Sequence, residues 1–474
     1  MRVSPLEKST ELRLGASFRD PSGHLFRDGD RLFRQVNDCF RDSYDLLIGS
    51  GLYRKLSQDG RLIPHEEVEH PGTRVEGIYR ILEPEKLPFI SYPYEWCFGQ
   101  LKDAALLTLE IQQAALAHGL TLRDASAFNV QFRGSVPVFI DTLSFGPYNE
   151  GEPWVAYRQF CQHFLAPLAL ASRCDVRLCA LLQRHLDGVP LDLASRLLPA
   201  RTRLNLGFLT HLHLHARSQR RWEGKQIEKP RPVSRRGLLG ILSHLERTVQ
   251  KLHWKPSSTV WTRYDNQTSY SQQAAQEKRG IVSRFMERVE PRMVWDLGAN
   301  RGDFARLAAA RGAVAVGFES DPAVVEETYQ TSKERGDNTF LSLCMDLSNP
   351  SPALGWMHRE RDSLTQRGPA DLLLALALVH HLAIGNNVPL PQVAEMLAGL
   401  GESLVIEFVP KEDQQVQRML ASREDIFSDY SVECFEQAFR AYFDVLEKER
   451  IPDSVRTVYL MKRKQVPIRT SATT

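Results

Sequence analysis

A glycine-spaced acidic turn follows a short apolar strand in the second half of the chain. Residues 294–304 read Val-Trp-Asp-Leu-Gly-Ala-Asn-Arg-Gly-Asp-Phe, so Asp296 ends the strand and two glycines, Gly298 and Gly302, follow it. Because glycine has no Cβ and adopts dihedral angles that other residues avoid, such a turn lets the backbone approach a ligand closely. The turn lacks the third glycine of the dinucleotide fingerprint and the Gly-Lys-Ser/Thr ending of a phosphate loop. These residues therefore predict a site for a different nucleotide-like cofactor.

Polar side chains also follow the next predicted strands. The second strand ends at Glu319, about twenty residues beyond the first motif, where a carboxylate can accept hydrogen bonds from both hydroxyls of a ribose. The fourth strand, 370–379, is a continuous apolar run that is typical of a strand buried on both faces. In chain order, the residues after the first four strands are Asp296, Glu319, Asp346 with Leu347, and His380 with His381. The predicted strands are 294–295, 313–318, 339–344, 370–379 and 403–409, with a final alternating pair at 443–448 and 457–462.

The motif Asp296-Leu-Gly298-Ala-Asn300-Arg-Gly302 resembles the first motif of class I S-adenosylmethionine (SAM) methyltransferases, D/E-x-G-x-x-x-G. The resemblance implies an α/β fold with a Rossmann-like seven-stranded sheet, whose last two strands form an antiparallel edge hairpin. It also implies SAM as the cofactor. The cofactor-binding residues that we expect are Asp296, Gly298, Asn300, Gly302, Glu319, Asp346, Leu347 and Tyr270, the last in an aromatic segment that could close over the cofactor as a lid.

Three residues near the ends of the fourth and fifth strands are candidate catalytic groups. His380 or His381 would face the methyl acceptor, and an unperturbed imidazole pKa near 6.5 suits a general base at neutral pH. Glu407 on the fifth strand is the second candidate base. The competing interpretation of the histidine pair is a strand end that takes no part in proton transfer.

The first half of the chain contains a second motif. Asp124 and Asn129 have the D-x-x-x-x-N spacing of a protein-kinase catalytic loop, and a strand that ends at Asp141 follows. The resemblance implies that Asp124 orients an acceptor hydroxyl and that Asn129 and Asp141 hold magnesium. Leu122 replaces the usual histidine, Thr-Leu replaces Phe-Gly after Asp141, and neither a Gly-rich loop nor a strand lysine is visible, although Arg34 lies where that lysine would be. The alternatives are an active kinase-like fold, a decayed one, or a turn that Asp124 and Asn129 merely pin.

Length and composition limit the remaining possibilities. The chain has 474 residues and a net charge of +2, and this length favours two or three domains. The seven cysteines include no C-x-x-C pair, which argues against a disulfide framework or a zinc site and favours a reducing compartment, by default the cytoplasm. No apolar run reaches the ~20 residues that cross a membrane. The predicted domains are 1–216 (α+β, with a kinase-like fold as one alternative, for acceptor recognition), 217–255 (basic linker and helix) and 256–466 (methyltransferase).

Three classes of function fit these patterns. The leading one is a SAM-dependent methyltransferase that acts on a small-molecule or glycan acceptor. The alternatives are a bifunctional or decayed kinase-methyltransferase, and an RNA or protein methyltransferase. The near-neutral charge makes nucleic acid an improbable partner. Segments such as Leu-Val-His-His-Leu-Ala-Ile-Gly-Asn-Asn make the whole chain similar to bacterial methyltransferase-type proteins of the NoeA nodulation family, a resemblance that implies no defined substrate.

Overall fold

The computed structural model describes residues 12–70, 76–217, 232–256, 271–421 and 423–465. The chain divides into two compact units. Unit 1 comprises residues 1–132, 136–255 and 353–361, and unit 2 comprises residues 133–135, 256–352 and 362–474. Unit 1 therefore includes nine residues, Ala353–Arg361, that come from the C-terminal half of the sequence.

Unit 1 begins with a five-stranded antiparallel sheet in the order β1-β2-β3-β5-β4. A long buried helix follows, and two small antiparallel ladders, β6 with β9 and β7 with β8, surround the segment that carries Asp124, Asn129 and Asp141. The strands are β1 Leu12–Arg13, β2 Leu25–Asp28, β3 Arg31–Asn37, β4 His65–Glu67, β5 Ile78–Pro84, β6 Leu120–Leu122, β7 Val130–Arg133, β8 Val136–Phe139 and β9 Phe145–Pro147.

Most of the remaining part of unit 1 is helical. The helices are α1 Arg41–Gly49, α2 Leu52–Gln58, α3 Phe98–Ala117, α4 Tyr157–Phe160, α5 Ala166–Arg173, α6 Leu181–Arg184, α7 Leu191–Leu197, α8 Leu206–Phe208 and α9 Arg235–Gln250, with π-helical segments at Cys161–Leu165 and Leu209–Leu214. The segment Ala353–Arg361 contacts two connecting segments of unit 1: the Arg361 guanidinium lies 4.1 Å from the centroid of the Phe128 ring, and Arg19 donates to Glu360. Phe128 belongs to the loop between Asp124 and Asn129.

Unit 2 contains the predicted seven-stranded sheet, in the order β12-β11-β10-β13-β14-β16-β15. The first five strands in this order are parallel, and the last two form the antiparallel edge hairpin. The strands are β10 Met293–Leu297, β11 Val314–Glu319, β12 Phe340–Cys344, β13 Ala370–Ala375, β14 Gly401–Phe408, β15 Phe443–Arg450 and β16 Thr457–Arg463. The predicted α/β fold class is thus confirmed, including the seven-stranded sheet.

Helices cover the faces of this sheet, as parallel strands require. They are α10 Gln272–Val289, α11 Asp303–Ala309, α12 Pro322–Glu334, α13 Leu390–Leu400, α14 Gln414–Leu420 and α15 Val432–Arg440, with a π-helical segment at His381–Gly385. Helix α10 shows why the layers pack: its buried residues Ile281, Val282 and Phe285 join Leu372 and Val405 of the central strands in one apolar cluster.

Three elements that the sequence pattern predicts differ from the structure: a fourth strand over 370–379, an apolar strand that begins at residue 86, and a helical stretch over 38–56. The fourth strand ends at Ala375 and not at residue 379, because Ala377 adopts a φ of +53° that breaks the extended chain. The apolar segment from residue 86 is no strand, since prolines remove backbone donors there, and the strand lies earlier, at Ile78–Pro84. The helical stretch predicted over 38–56 is split in two at Gly51, whose φ is +78°.

Candidate functional site

Strand register brings the predicted cofactor residues of unit 2 to one edge of the sheet. Leu297 of β10 pairs with Phe318 of β11, and Glu319 pairs with Cys344 of β12. On the other side, Asp296 pairs with Leu374 of β13. The residues that follow these strands therefore meet where ligands bind in open parallel sheets, beyond the carboxyl ends.

The two motif glycines have positive φ angles, +74° at Gly298 and +76° at Gly302. A Cβ at Gly302 would lie 2.5 Å from ring atoms of Phe340, so this glycine is required by packing against β12 as well as by its backbone angle. Between them, Asn300 also has a positive φ, +47°. Its side-chain oxygen is buried and has no hydrogen-bond partner among the described residues.

Glu319 is fixed across this turn by hydrogen bonds. Its Oε2 accepts from the backbone N–H of Asn300 at 3.0 Å. Its Oε1 accepts from the backbone N–H of Asp321 at 3.0 Å and from the Ser320 hydroxyl at 3.1 Å. Since an ionised carboxylate offers about four lone-pair sites, these bonds orient Glu319 and leave it acceptor capacity.

The other predicted cofactor residues lie at the same edge in different surroundings. Asp296 is buried, which raises its pKa to about 7, and its Oδ2 accepts from the N–H of Ala305 at 3.2 Å in the first turn of α11. Asp346 is exposed and accepts from the backbone N–H of Ser348 at 2.8 Å, whereas Leu347 is buried. Tyr270 lies outside the described residues.

The histidine pair after β13 is buried more deeply than the sequence suggested. Burial, with the nearby charges of His381, Arg456 and Lys278, holds the pKa of His380 well below its ordinary value. Burial and Arg456 also lower the pKa of His381, to about 4. The expectation of an unperturbed pKa near 6.5 was therefore wrong, and both rings are neutral at pH 7. Neither ring nitrogen of His380 has a hydrogen-bond partner within the described parts of the chain.

Glu407, the second predicted base, is fully buried between two cations. Lys278 Nζ lies 2.6 Å from its Oε2, and Arg456 Nη1 lies 3.1 Å from its Oε1. Arg456 also contacts Asp413, with Nε 2.7 Å from Oδ2. Protonating Glu407 would remove the anion that contacts buried Lys278 and one of the two that contact Arg456, so this network opposes the role of a base.

Sequence reasoning missed Lys278, Arg456 and Asp413. One signal was present for Lys278, because it lies on the apolar face of α10 between Ala274 and Ile281. A lysine at such a position is rarely buried without a partner. Arg456 and Asp413 carry no such signal, since both lie in connecting segments.

The three predicted kinase-like residues lie together in unit 1. Asp124 accepts side-chain hydrogen bonds from Asn129 and Gln159 and a backbone bond from Ser126, and burial followed by the charge of Asp141 raises its pKa. Asn129 Nδ2 donates to Ser144 Oγ at 3.2 Å, and Ser144 Oγ donates to Asp141 Oδ2 at 2.6 Å. One hydrogen-bonded chain thus links the trio. The bond from Ser126 also gives Asp124 the turn-pinning role of the competing interpretation.

Arg34 lies beside this chain on the central strand β3. Its Nη2 is 3.3 Å from Asp141 Oδ1 and 2.5 Å from Asp20 Oδ2. The guanidinium therefore binds two carboxylates at once.

The described ranges contain no cluster of three or more His, Cys, Asp or Glu side chains with metal-binding geometry. Within the same ranges, no helix is long and apolar enough to cross a membrane.

No protein-family model matches the chain. Solved structures with partial likeness include N-methyltransferase NodS from Bradyrhizobium japonicum WM9, with 11% identity over 41% of this chain and 98% of that chain, at a TM-score of 0.30. Magnesium protoporphyrin IX methyltransferase from Synechocystis PCC 6803 has 16% identity over 44% of this chain and 90% of its own, at 0.29. The bifunctional kinase-methyltransferase WbdD has 17% identity over 42% of this chain and 41% of its own, also at 0.29. At these low scores, the fold assignment depends on the strand order described above.

A whole-length relative is much closer. Nodulation protein NoeA of Rhizobium meliloti (strain 1021) is 37% identical over 462 residues, which cover 96% of each chain. The chain therefore belongs to the NoeA family of nodulation proteins.

Proposed function

We propose that unit 2 binds S-adenosylmethionine and transfers its methyl group to a small-molecule or glycan acceptor. The observation that carries this proposal is the hydrogen bond from the Asn300 N–H to Glu319, 3.0 Å long. This bond joins the glycine turn after β10 to the acidic residue after β11, within a sheet of the class I strand order.

The residues present suit this cofactor. Glu319 accepts three hydrogen bonds and so retains capacity for about one more, from a ribose hydroxyl, and the buried side-chain oxygen of Asn300 is an unsatisfied acceptor for a donor such as the cofactor ammonium group. An orphaned buried acceptor costs about 1–3 kcal/mol, which a bound donor would recover. Asp346 and the buried Leu347 would provide a polar contact and an apolar surface for the adenine.

The bound cofactor would supply an electrophilic methyl group on a sulfonium. The chain's own residues would hold the acceptor in line with that methyl group and keep water away. His380 and His381 are neutral at pH 7, so each ring can accept a hydrogen bond from an acceptor hydroxyl. Lys278 and Arg456 would fix Glu407, and with it the end of β14, beside the histidines.

Calorimetry with SAM tests this function. We expect Glu319→Gln to weaken SAM binding by about tenfold or more, because a charge-assisted hydrogen bond contributes about 1.5–3 kcal/mol. Glu402→Gln is the matched control, since Glu402 is exposed near the start of β14, at the opposite end of a strand. Equal SAM affinity in the wild type and both variants would contradict the assignment.

We also propose, as a second function, that unit 1 is a kinase-like ligand-binding domain with weak or absent phosphoryl transfer, and that a cleft lined by Asp124, Asn129 and Asp141 recognises the acceptor. The hydrogen-bonded chain through Asp124, Asn129 and Asp141 favours it, as does the order of a five-stranded sheet, a long helix and two small ladders. If the proposal is correct, full-length protein binds ATP in the presence of magnesium, and Asp141→Ala removes that binding. Unchanged ATP binding in Asp141→Ala would contradict this proposal and would favour the competing interpretation, in which Asp124 only stabilises a turn.

A further inference from the structure

Arg34 is a cation of unit 1 that contacts one of the kinase-like residues, Asp141, and a second carboxylate, that of Asp20, already binds it. Its side chain is mostly buried, with 12% of its surface exposed, at the centre of the first sheet, where β3 pairs with both β2 and β5. A guanidinium in this setting favours an anion with oxygen acceptors, such as a carboxylate or a phosphate. Asp20 provides that anion from the segment between β1 and β2.

The segment that carries Asp20 is tied to the sheet at several points. Asp20 Oδ1 accepts from the backbone N–H of Ser22 at 2.8 Å, and the carbonyl of Ser22 accepts from the N–H of Asn37 at 2.8 Å. The side chain of Asn37 donates to the carbonyl of Pro21 at 2.8 Å. A Cβ at Gly23 would lie 1.9 Å from the carbonyl oxygen of Gln35, so only glycine lets the segment lie this close to β3. These contacts fix the backbone of the segment beside Arg34, so only the side chain of Asp20 has to turn away to release the guanidinium.

The two carboxylates that contact Arg34 oppose the binding of a further anion. Arg34 is positive, and Asp20 and Asp141 are both negative, so the three groups carry one net negative charge. A phosphate group that entered would meet this negative charge and would find Nη2 of the guanidinium already bonded to both carboxylates. If the Asp20 side chain moved away, the charges of Arg34 and Asp141 would cancel, and the guanidinium would become available to a phosphate.

We propose that Asp20 is a built-in competitor for the anion position on Arg34, so that a phosphate-bearing ligand enters the unit 1 cleft only by displacing it. This inference deepens the ligand-binding role proposed for unit 1 and rests on it. The ligand class is a phosphate ester or diphosphate, because the freed guanidinium offers a planar pair of donors that matches phosphate oxygens. Asp20 thereby sets the threshold concentration at which the cleft fills.

Calorimetry on the full-length protein, with ADP and magnesium as the probe, tests the proposal. Asp20→Asn keeps the size of the side chain and removes its charge, and we expect it to bind ADP at least about tenfold more tightly than the wild type. Adding Arg34→Met to Asp20→Asn should abolish the gain. Asp30→Asn is the matched control: it removes the same charge from an exposed residue at the turn between β2 and β3, and it should leave the ADP affinity unchanged.

Thermal unfolding of each variant verifies that it is folded, and Asp20→Ser replaces Asp20→Asn if the latter is not. A parallel titration with pyrophosphate shows whether the diphosphate group alone accounts for the gain in affinity. Equal, measurable ADP affinity in the wild type and Asp20→Asn would overturn the competitor role and leave the unit 1 site standing. No binding of ADP or pyrophosphate by any variant would overturn both the competitor role and the proposed function of unit 1.

Discussion

Glu319 and Glu407 occupy similar places at the carboxyl ends of strands in one sheet, yet their surroundings differ. Glu319 accepts from two backbone N–H groups and a hydroxyl. Glu407 is held by the cations Lys278 and Arg456. A carboxylate held by N–H groups keeps its charge available to a ligand, whereas one held by buried cations has that charge neutralised. The partners of a strand-end acid, and not its position alone, therefore decide whether it can serve a ligand.

The largest effect on stability should follow from removing one of the two cations that contact Glu407. Arg456→Met leaves two buried carboxylates, Glu407 and Asp413, without this partner. We expect the free energy of unfolding, measured by urea denaturation, to fall by about 3–5 kcal/mol. Arg450→Met on β15 is the control: its guanidinium is exposed, and its loss should cost less than about 1 kcal/mol. A loss below about 1 kcal/mol for Arg456→Met would mean that the network does not stabilise unit 2.

A pH-dependent effect should appear at Asp296, where burial acts without a direct ion pair among its hydrogen bonds. Its pKa in the folded chain is about 7, above the ordinary value of 3.8, so the folded state retains a proton that the unfolded state releases. Stability should therefore fall as the pH rises from about 4 to about 7, by up to about 1.4 kcal/mol per pH unit. Asp296→Asn cannot ionise and should flatten this slope. Denaturation at pH 5 and pH 8 measures it, and identical slopes in both proteins would show that Asp296 titrates normally.

The strands of unit 2 could be predicted because they follow from local patterns. Apolar runs ended by Asp296, Glu319 and Asp346 fix the order of strands along the chain, and the alternation in β15 identifies the edge strand. The alternation predicted for β16 was wrong: residues 458–461 are all buried, because this strand lies between β14 and β15. The spacing of Asp124 and Asn129 likewise indicated a loop whose side chains lie together, as the hydrogen bonds show.

The ion pairs of the site residues could not be predicted, because the two partners of each pair are far apart in the sequence. Arg456 is 49 residues from Glu407, and Asp141 is 107 residues from Arg34. Burial also depends on distant parts of the chain. It lowers the pKa of His381 to about 4, and it is produced by the helices and strands that pack around the ring. The site's residue types can be predicted from sequence, but their ionisation follows from tertiary packing.

The position of residues Ala353–Arg361 in the sequence limits how the genes of related proteins can recombine. These residues are encoded between two strands of the C-terminal sheet, yet they complete unit 1, where Arg361 stacks on Phe128. A desolvated contact of this kind contributes about 2 kcal/mol. A single genetic crossover near residue 256 would join a Phe128 loop from one parent to an Arg361 segment from the other. Shuffling the two halves between relatives therefore requires that Phe128 and this segment be exchanged together.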